Sequence, residues 1–228
     1  MNPGGGRRLS SSVVVDAAAL VSLGAWATLA LLSHRFEQLP LAHYFVVMGT
    51  AWVCTLTALR VATRVPAASL VPRLWGWGSA FRFVGLFARP VLDGDVLRYL
   101  WDGWVFSHTG NPYATTPTDH FDDPGVPEGL LPILNAVNHP DIPTIYGPVA
   151  EWAFRLSHFV APGELWPWKL VLVLCELLTL RLLLGAVAPA RALLFAWCPL
   201  LIQETAFNAH PEALGVLPMV AAVIWSRT

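Results

Sequence analysis

Two long stretches without a formal charge constrain the fold of this 228-residue chain more than any other feature. Residues 17–33 and 41–59 contain no Asp, Glu, Lys or Arg, and a helix that crosses a bilayer needs about 20 mostly apolar residues. The whole chain has 13% charged residues, whereas soluble domains have about 25%. We therefore expect an integral membrane protein, and not a coiled coil, a nucleic-acid-binding protein or a disulfide-rich secreted domain.

The apolar pattern predicts an all-α fold, a polytopic transmembrane bundle of about five to seven helices. The predicted segments are 13–33, 41–62, 70–88, 148–161, 165–187, 191–206 and 212–226. A cleaved signal peptide is the alternative for the first of them, because Arg7 and Arg8 precede it. Arg73 and Arg82 interrupt the third, and each must face protein, water or lipid headgroups if that segment crosses the bilayer.

Charge is segregated along the chain. Residues 90–147 hold eight acidic residues and one basic residue, a net of −7, whereas the remainder has a net of +6. Basic residues favour the cytoplasmic side, and they precede the first apolar segment and separate the second from the third. The predicted organisation is therefore a cytoplasmic tail (1–12), N-terminal membrane helices (13–89), an acidic extracytoplasmic loop (90–147) and C-terminal membrane helices (148–228). Whether 148–161 crosses the membrane or only dips into it stays open.

The acidic loop opens on a predicted amphipathic, juxtamembrane helix from Asp95 to His108. The spacing of Asp95, Arg98 and Asp102 is i, i+3, i+7, which places them on one face, and we expect that face to look into a watery cavity. A second face carries apolar and indole side chains that we expect to meet lipid. Its members are Leu97, Leu100, Trp101 and Trp104.

Asp93 and Asp95 are the candidate proton acceptors of this loop. A carboxylate near the headgroups is partly desolvated, and desolvation raises its pKa towards a value useful for taking a proton from a hydroxyl. The spacing alone favours a plainer interpretation, in which Asp95 caps the helix and Arg98 is an ordinary salt-bridge member.

Three further polar segments could line a site or could be ordinary exposed loops and turns. The first, Gly110-Asn-Pro-Tyr113, is a turn signal that ends the predicted helix. The second, 138–148, is rich in proline and contains His139, Asp141 and Tyr146. The third, 197–212, concentrates polar groups between two apolar runs, namely Glu204, Asn208, His210 and Glu212.

Taken in order, these motifs resemble the GT-C class of integral-membrane glycosyltransferases, and most nearly its bacterial polyprenyl-phosphate-mannose-dependent α-mannosyltransferase-like branch. The resemblance runs from about residue 80 to the C-terminus. It rests on Asp93-Gly-Asp-Val-Leu-Arg-Tyr-Leu-Trp-Asp-Gly103, Gly110-Asn-Pro-Tyr113, Asn138-His-Pro-Asp-Ile-Pro-Thr-Ile-Tyr-Gly-Pro148, and Trp197-Cys-Pro-Leu with His210-Pro-Glu212. It implies transfer of a hexose, mannose by this branch, from a polyprenyl-phosphate carrier to a hydroxyl of a glycan or glycolipid acceptor.

The resemblance also implies roles for particular residues, on the extracytoplasmic face of the bacterial inner membrane. Asp95 would be the general base on the acceptor hydroxyl, with Asp93 orienting it or contacting the acceptor. Arg98 would balance the charge of these acids or contact the donor phosphate. Neither a cofactor nor a metal is implied. The other expected substrate-binding residues are Asp102, Asn111, Tyr113, His139, Asp141, Tyr146, His210 and Glu212.

Departures from the family pattern leave alternatives open. Gly94 separates an acidic pair that is usually adjacent, Glu212 stands where Asp is commoner, and the chain is shorter than related enzymes. The short length leaves three interpretations open: a fragment, a truncated reading frame, or half of an assembly in which a second chain supplies the missing helices. An inactive truncated transferase and a non-catalytic membrane module or small transporter subunit are the alternatives. A transporter should align Glu176, Arg181 and Glu204 along one pathway, whereas a transferase should bring Asp95 and His210 to one outer cavity.

Overall fold

The regular structure of the chain is helical in a computed structural model that describes residues 10–36, 39–92 and 94–227. None of these described residues forms a β-strand, which confirms the all-α prediction. The longer helices are α1 (Ser11–Arg35), α2 (Leu41–Ala62), α3 (Ala67–Leu86), α4 (Val96–Thr109), α6 (Pro148–Val160), α7 (Trp166–Ala186) and α10 (Glu212–Trp225). The shorter ones are α5 (Leu131–Leu134), α8 (Pro189–Ala196) and α9 (Pro199–Ile202), with 3₁₀ turns at Pro117–His120 and Glu128–Leu130 and a π-helical turn at Gln203–Phe207.

Two of the described helices, α1 and α2, are long and apolar enough to cross a membrane, with mean hydropathies of 1.8 and 1.6. They pack against each other, and each leaves large apolar side chains exposed on its outer face, such as Leu31 and Phe45. Helices α3 and α7 have 20 and 21 residues, but their sequences carry charged side chains. These features support an association with membrane.

The charges of α3 and α7 meet inside the protein. Arg82 of α3 is 1% exposed, and its Nε donates to Glu176 Oε2 of α7 at 2.8 Å. Its Nη1 donates to the carbonyl oxygen of Ala196 at 2.8 Å, at the end of α8. Arg82 therefore faces protein, and its guanidinium joins three helices around an apolar core that includes the edge-on contact of Phe81 with Trp197.

The predicted segment 191–206 is wrong as a continuous helix. Trp197 and Cys198 separate α8 from α9, and Pro199 begins the new helix, a position where its missing N–H is tolerated. The chain then enters the π-helical turn, where Gln203 and Thr205 are buried. The expectation of a water-exposed turn is also wrong for these residues, because the turn packs between α3 and α7.

Helix α4 forms close to where it was predicted but has different surroundings. Trp101 and Trp104, expected to meet lipid, are 1% and 4% exposed and pack against Val126, Leu130 and Leu134. The loop folds back through its 3₁₀ turns and covers the indole face with its own apolar side chains. The prediction that α4 presents its indoles to the bilayer is therefore wrong.

Helix α6 crosses α4 at very short range, and this crossing positions the site. A Cβ on Gly103 would stand 2.6 Å from the Phe154 carbonyl oxygen, so only glycine allows the two backbones to approach this closely. Gly110, at φ +76°, ends α4 in the left-handed conformation that glycine adopts without strain. The turn signal at Gly110 is thus confirmed, and the crossing sets the buried face of α6 against Asp102.

Helix α6 is amphipathic, with one buried face and one exposed apolar face, the arrangement that the sequence predicts for α4. One face buries Glu151, Phe154 and Ser157, whereas the opposite face exposes large apolar side chains. These are Val149, Trp152, Leu156, Phe159 and Val160. Thirteen residues give a helix of roughly 20 Å, shorter than the hydrocarbon core of about 30 Å. Residues 148–160 are therefore too short to cross a bilayer as a helix.

Candidate functional site

An open cavity of about 280 Å³ lies where α4 begins. It joins two motifs that are far apart in the chain, the start of α4 and the proline-rich segment 138–146. Its walls combine a carboxylate, a guanidinium, an amide, an imidazole and a phenol with two isoleucine side chains. The lining residues are Asp95, Arg98, Asn138, His139, Ile142, Ile145 and Tyr146.

Asp95 occupies the N-cap position of α4 without acting as an ordinary cap. Among the described residues its side chain bonds no N–H of the first turn. Its Oδ1 instead lies 3.5 Å from Asn138 Nδ2 across the cavity mouth. The carboxylate is therefore presented to the cavity. Asp93, the other predicted acid, lies outside the described residues.

Arg98 fixes the opposite wall. Its Nε donates to Asp102 Oδ1 at 2.8 Å, the i, i+4 pair that the spacing predicted. Its Nη2 donates to the carbonyl oxygen of Ile142 at 2.8 Å, and Nη1 lies 3.5 Å from that of His139. His139 has φ +50°, so the guanidinium holds a strained turn against α4.

Tyr146 forms the apolar floor of the cavity. Its ring meets Tyr99 and Phe154 edge-on, at centroid distances of 5.2 and 5.5 Å. Burial raises the pKa of the Tyr146 phenol, a hydrogen bond with the Tyr99 side chain opposes this shift, and the charges of Asp95 and Asp102 add to it. The phenol therefore keeps its proton at neutral pH and can donate a hydrogen bond to a bound hydroxyl or phosphate.

Asn111 and Tyr113 support this floor from outside the cavity. The Tyr113 hydroxyl donates to the Tyr146 carbonyl oxygen at 3.0 Å, and the Asn111 side chain accepts from the Tyr113 N–H at 3.1 Å. Neither residue lines the cavity. Asp141 is exposed and does not line it either, so the structure gives these three predicted binding residues no cavity surface.

Two buried carboxyl groups lie behind Arg98, and one of them was not predicted. Asp102 and Glu151 are 2% and 1% exposed, and the Thr144 hydroxyl lies 2.7 Å from Glu151 Oε1. Burial raises the pKa of Asp102, opposed by the Arg98 charge, and burial raises the pKa of Glu151 to about 7. The signal in the sequence is weak: Glu151 lies one helical turn before Phe154, on the face of α6 that is buried.

His210 and Glu212 lie elsewhere. His210 Nδ1 is 2.6 Å from Glu204 Oε2, and His210 does not line the cavity of Asp95. Glu212 lines a second cavity of about 330 Å³ between α7, α9, the π-helical turn and α10. The turn after Phe207 places His210 beside Glu204, and the role expected of His210 in substrate binding stays a prediction.

The charged residues expected of a transporter do not form one pathway. Glu176 and Glu204 line the second cavity, but Arg181 is exposed. Glu176 already accepts hydrogen bonds from Arg82 and Thr205. Within residues 10–36, 39–92 and 94–227, no group of three His, Cys, Asp or Glu side chains could hold a metal ion.

No protein-family model matches the chain, and neither a curated protein nor a solved structure is significantly similar to it.

Proposed function

We propose that this chain is a membrane-bound glycosyltransferase that moves a hexose, mannose in the first instance, from a polyprenyl-phosphate carrier to an acceptor hydroxyl. The observation that carries the proposal is the meeting of Asp95 and Arg98 in one cavity with His139 and Tyr146. These residues come from two segments about 40 positions apart, and their chemistry suits a phosphate donor and a hydroxyl acceptor.

The proposed chemistry needs one base and one anion-binding group. Asp95 accepts the proton of the acceptor hydroxyl while the hydroxyl oxygen attacks the anomeric carbon of the donor sugar. The bond from that carbon to the phosphate oxygen breaks, and the lipid phosphate leaves with the electron pair. Arg98, which lines the same cavity, donates to the phosphate as its negative charge develops.

The other polar groups of the cavity suit sugar recognition. Asn138 and His139 offer an amide and an imidazole at its rim, and the protonated Tyr146 phenol offers a donor at its floor. Hydroxyl groups of a hexose both donate and accept hydrogen bonds, so a mixed lining of this kind can orient the ring. The donor sugar and the glycan or glycolipid acceptor would meet here.

We further propose a polytopic membrane arrangement with this cavity on the extracytoplasmic side of a bacterial inner membrane. Helices α1 and α2 supply two spans by length and composition. The ion pair of Arg82 with Glu176 lets α3 and α7 join them, because charges inside a membrane bundle are tolerated when they pair within the protein. The acidic segment 90–147 against basic flanks supports this orientation.

Helix α6 would then lie in the outer membrane interface. Its exposed face carries Trp152, Leu156 and Phe159, and the Arg155 guanidinium lies over the Phe106 ring, 4.8 Å from its centroid. An amphipathic helix of this kind buries its apolar face at the boundary between headgroups and acyl chains. The cavity would thereby be held close to the depth at which a lipid-linked phosphate resides.

A transfer assay with the purified chain in liposomes tests the proposal. With polyprenyl-phosphate-mannose labelled in the sugar, we expect label to reach a glycolipid acceptor while an equal amount of polyprenyl phosphate is released. Liposomes without protein are the control. Folded protein that neither consumes the donor nor forms a labelled product would contradict the proposed activity of this chain.

A further inference from the structure

The carboxyl groups of Asp102 and Glu151 are buried together, with too few hydrogen-bond donors and cations around them to stabilise two negative charges. Asp102 Oδ2 and Glu151 Oε2 are both fully enclosed, and neither has a hydrogen-bond partner among the described residues. An ionised carboxylate in such surroundings is strongly disfavoured unless it is paired. Two acids in one buried site therefore require either two cations or a proton.

Among the described residues packed around Glu151, one cation pairs with the two acids. Arg98 of α4 bonds Asp102 directly. On α6 itself, Arg155 stacks on the rings of Phe106, Trp152 and Phe159, and burial keeps the pKa of the His158 imidazole below its usual value. On α7, Lys169 donates to the carbonyl oxygens of Gly85 and Ala88 at the end of α3.

The remaining polar neighbours of Glu151 are hydroxyl groups. The Tyr113 phenol is close enough to feel the charges of both Glu151 and Asp102. The Thr144 hydroxyl lies 2.7 Å from Glu151 Oε1. Its hydrogen bonding also lowers the pKa of the Asp102 carboxyl, against the effect of burial. A hydroxyl group has a single proton to donate, so Thr144 can serve one ionised carboxylate and not both.

We propose that Asp102 and Glu151 hold one proton between them, carried by Glu151, and that this neutral acid positions the segment from Thr144 to Tyr146 over the cavity. Asp102 stays ionised because Arg98 pairs with it. The Glu151 O–H then donates to Thr144 Oγ1, and the Thr144 O–H is free to turn towards Asp102. Glu151 is a positioning residue in this arrangement, since it does not line the cavity.

The link from Glu151 to the cavity runs through Thr144. The Tyr146 N–H lies 3.4 Å from Thr144 Oγ1, and Tyr146 forms the cavity floor. When Glu151 loses its proton at alkaline pH, an unpaired negative charge is buried beside Asp102. The two acids then repel each other, and the Thr144–Tyr146 segment is released from α6. The cavity should therefore lose its floor as pH rises.

Infrared titration of the purified protein tests the protonation state without any substrate. A protonated carboxylic acid has a carbonyl stretch distinct from that of a carboxylate. We expect the wild type to show this band at pH 6 and to lose it on titration through about pH 7, and Glu151→Gln to lack it at pH 6 and above. A wild type without the band at pH 6, or a Glu151→Gln protein that retains it, would overturn the proposal.

The dependence of KM on pH tests the positioning role of Glu151, and this test rests on the proposed function. We expect KM for polyprenyl-phosphate-mannose to rise at least several-fold between pH 6 and 9 in the wild type and to stay flat in Glu151→Gln, with kcat changed less. Asp122→Asn, which alters an exposed acid of the loop that does not line the cavity, should follow the wild type. Thr144→Val should raise KM at all pH values.

Equal pH profiles of KM for the wild type and Glu151→Gln would overturn the positioning role of Glu151. Absence of transfer in every variant would instead contradict the proposed function and leave the infrared result standing.

Discussion

Arg98 Nη2 donates a hydrogen bond to the carbonyl oxygen of Ile142, 2.8 Å away and 44 positions along the chain. The same guanidinium pairs with Asp102 through Nε. One side chain therefore joins the start of α4 to the proline-rich segment, and it also neutralises a buried acid. The shape of the cavity depends on this single cation.

Removal of the Arg98 charge should destabilise the protein strongly. Arg98→Ala leaves Asp102 buried without its partner, which typically costs about 3–5 kcal/mol. The stability of Arg98→Lys should fall between those of the wild type and Arg98→Ala, since an ammonium group cannot bond Asp102 and Ile142 with the same planar geometry. Thermal unfolding in detergent measures both. The matched control is Arg181→Ala at an exposed position, and equal loss of stability in Arg98→Ala and Arg181→Ala would contradict this account.

The crossing of α4 and α6 should not tolerate a methyl group at residue 103. Gly103→Ala places a Cβ 2.6 Å from the Phe154 carbonyl oxygen, so the two backbones must separate. Overpacking of this kind costs about 1–3 kcal/mol, measured as a lower unfolding temperature. In the control Gly129→Ala, the added Cβ meets nothing within 4 Å, and its unfolding temperature should stay close to that of the wild type. A Gly103→Ala protein as stable as the Gly129→Ala control would show that the helices do not cross here.

The helices that depend on local pattern could be predicted from the sequence. The uncharged runs around Trp26 and Ala51 indicated α1 and α2, and the glycine at 110 indicated the end of α4. The surroundings of α4 could not be predicted in the same way. Which side chains cover Trp101 depends on how the loop from 126 to 134 returns, and that is a contact between distant segments.

In the candidate site too, local features could be predicted from the sequence, whereas contacts between distant segments could not. Helical spacing predicts that Asp95, Arg98 and Asp102 share one face, and that arrangement follows from 3.6 residues per turn. The part played by Glu151 depends on the crossing at Gly103, which no periodicity reveals. His210 was expected at the cavity with Asp95, but a π-helical turn, which a 3.6-residue pattern does not predict, directs it to Glu204.

Protonation of Glu151 should make stability depend on pH in a defined direction. Its pKa is 4.5 when solvated and about 7 when folded. The folded state therefore binds more protons between these values, and the free energy of unfolding falls as pH rises from 4.5 to 7. The full difference corresponds to roughly 3 kcal/mol.

The comparison of the wild type with Glu151→Gln isolates this effect. The two proteins should have similar unfolding temperatures near pH 4, and Glu151→Gln should become the more stable as pH rises to 8. Scanning fluorimetry at several pH values measures the difference. A difference that does not change with pH would show that Glu151 titrates as an ordinary solvated acid.

The exposed face of α6 should contact lipid if the proposed membrane arrangement is correct. A spin label at Leu156→Cys, in a protein whose native cysteines are replaced, should collide with oxygen dissolved in the bilayer more often than with a water-soluble relaxation agent. A label at Thr118→Cys, in the exposed part of the acidic loop, should show the reverse order. Water-dominated collisions at both positions would exclude α6 from the interface.

The most direct measurement of the central claim is the transfer rate of Asp95→Asn beside that of Asp122→Asn, in liposomes with polyprenyl-phosphate-mannose. Asparagine keeps the shape of Asp95 but cannot accept the acceptor proton, so transfer should fall at least about 100-fold. Asp122 is exposed and does not line the cavity, and its variant should transfer at the rate of the wild type. A folded Asp95→Asn protein that transfers sugar at the wild-type rate would contradict the assignment of Asp95 as the base.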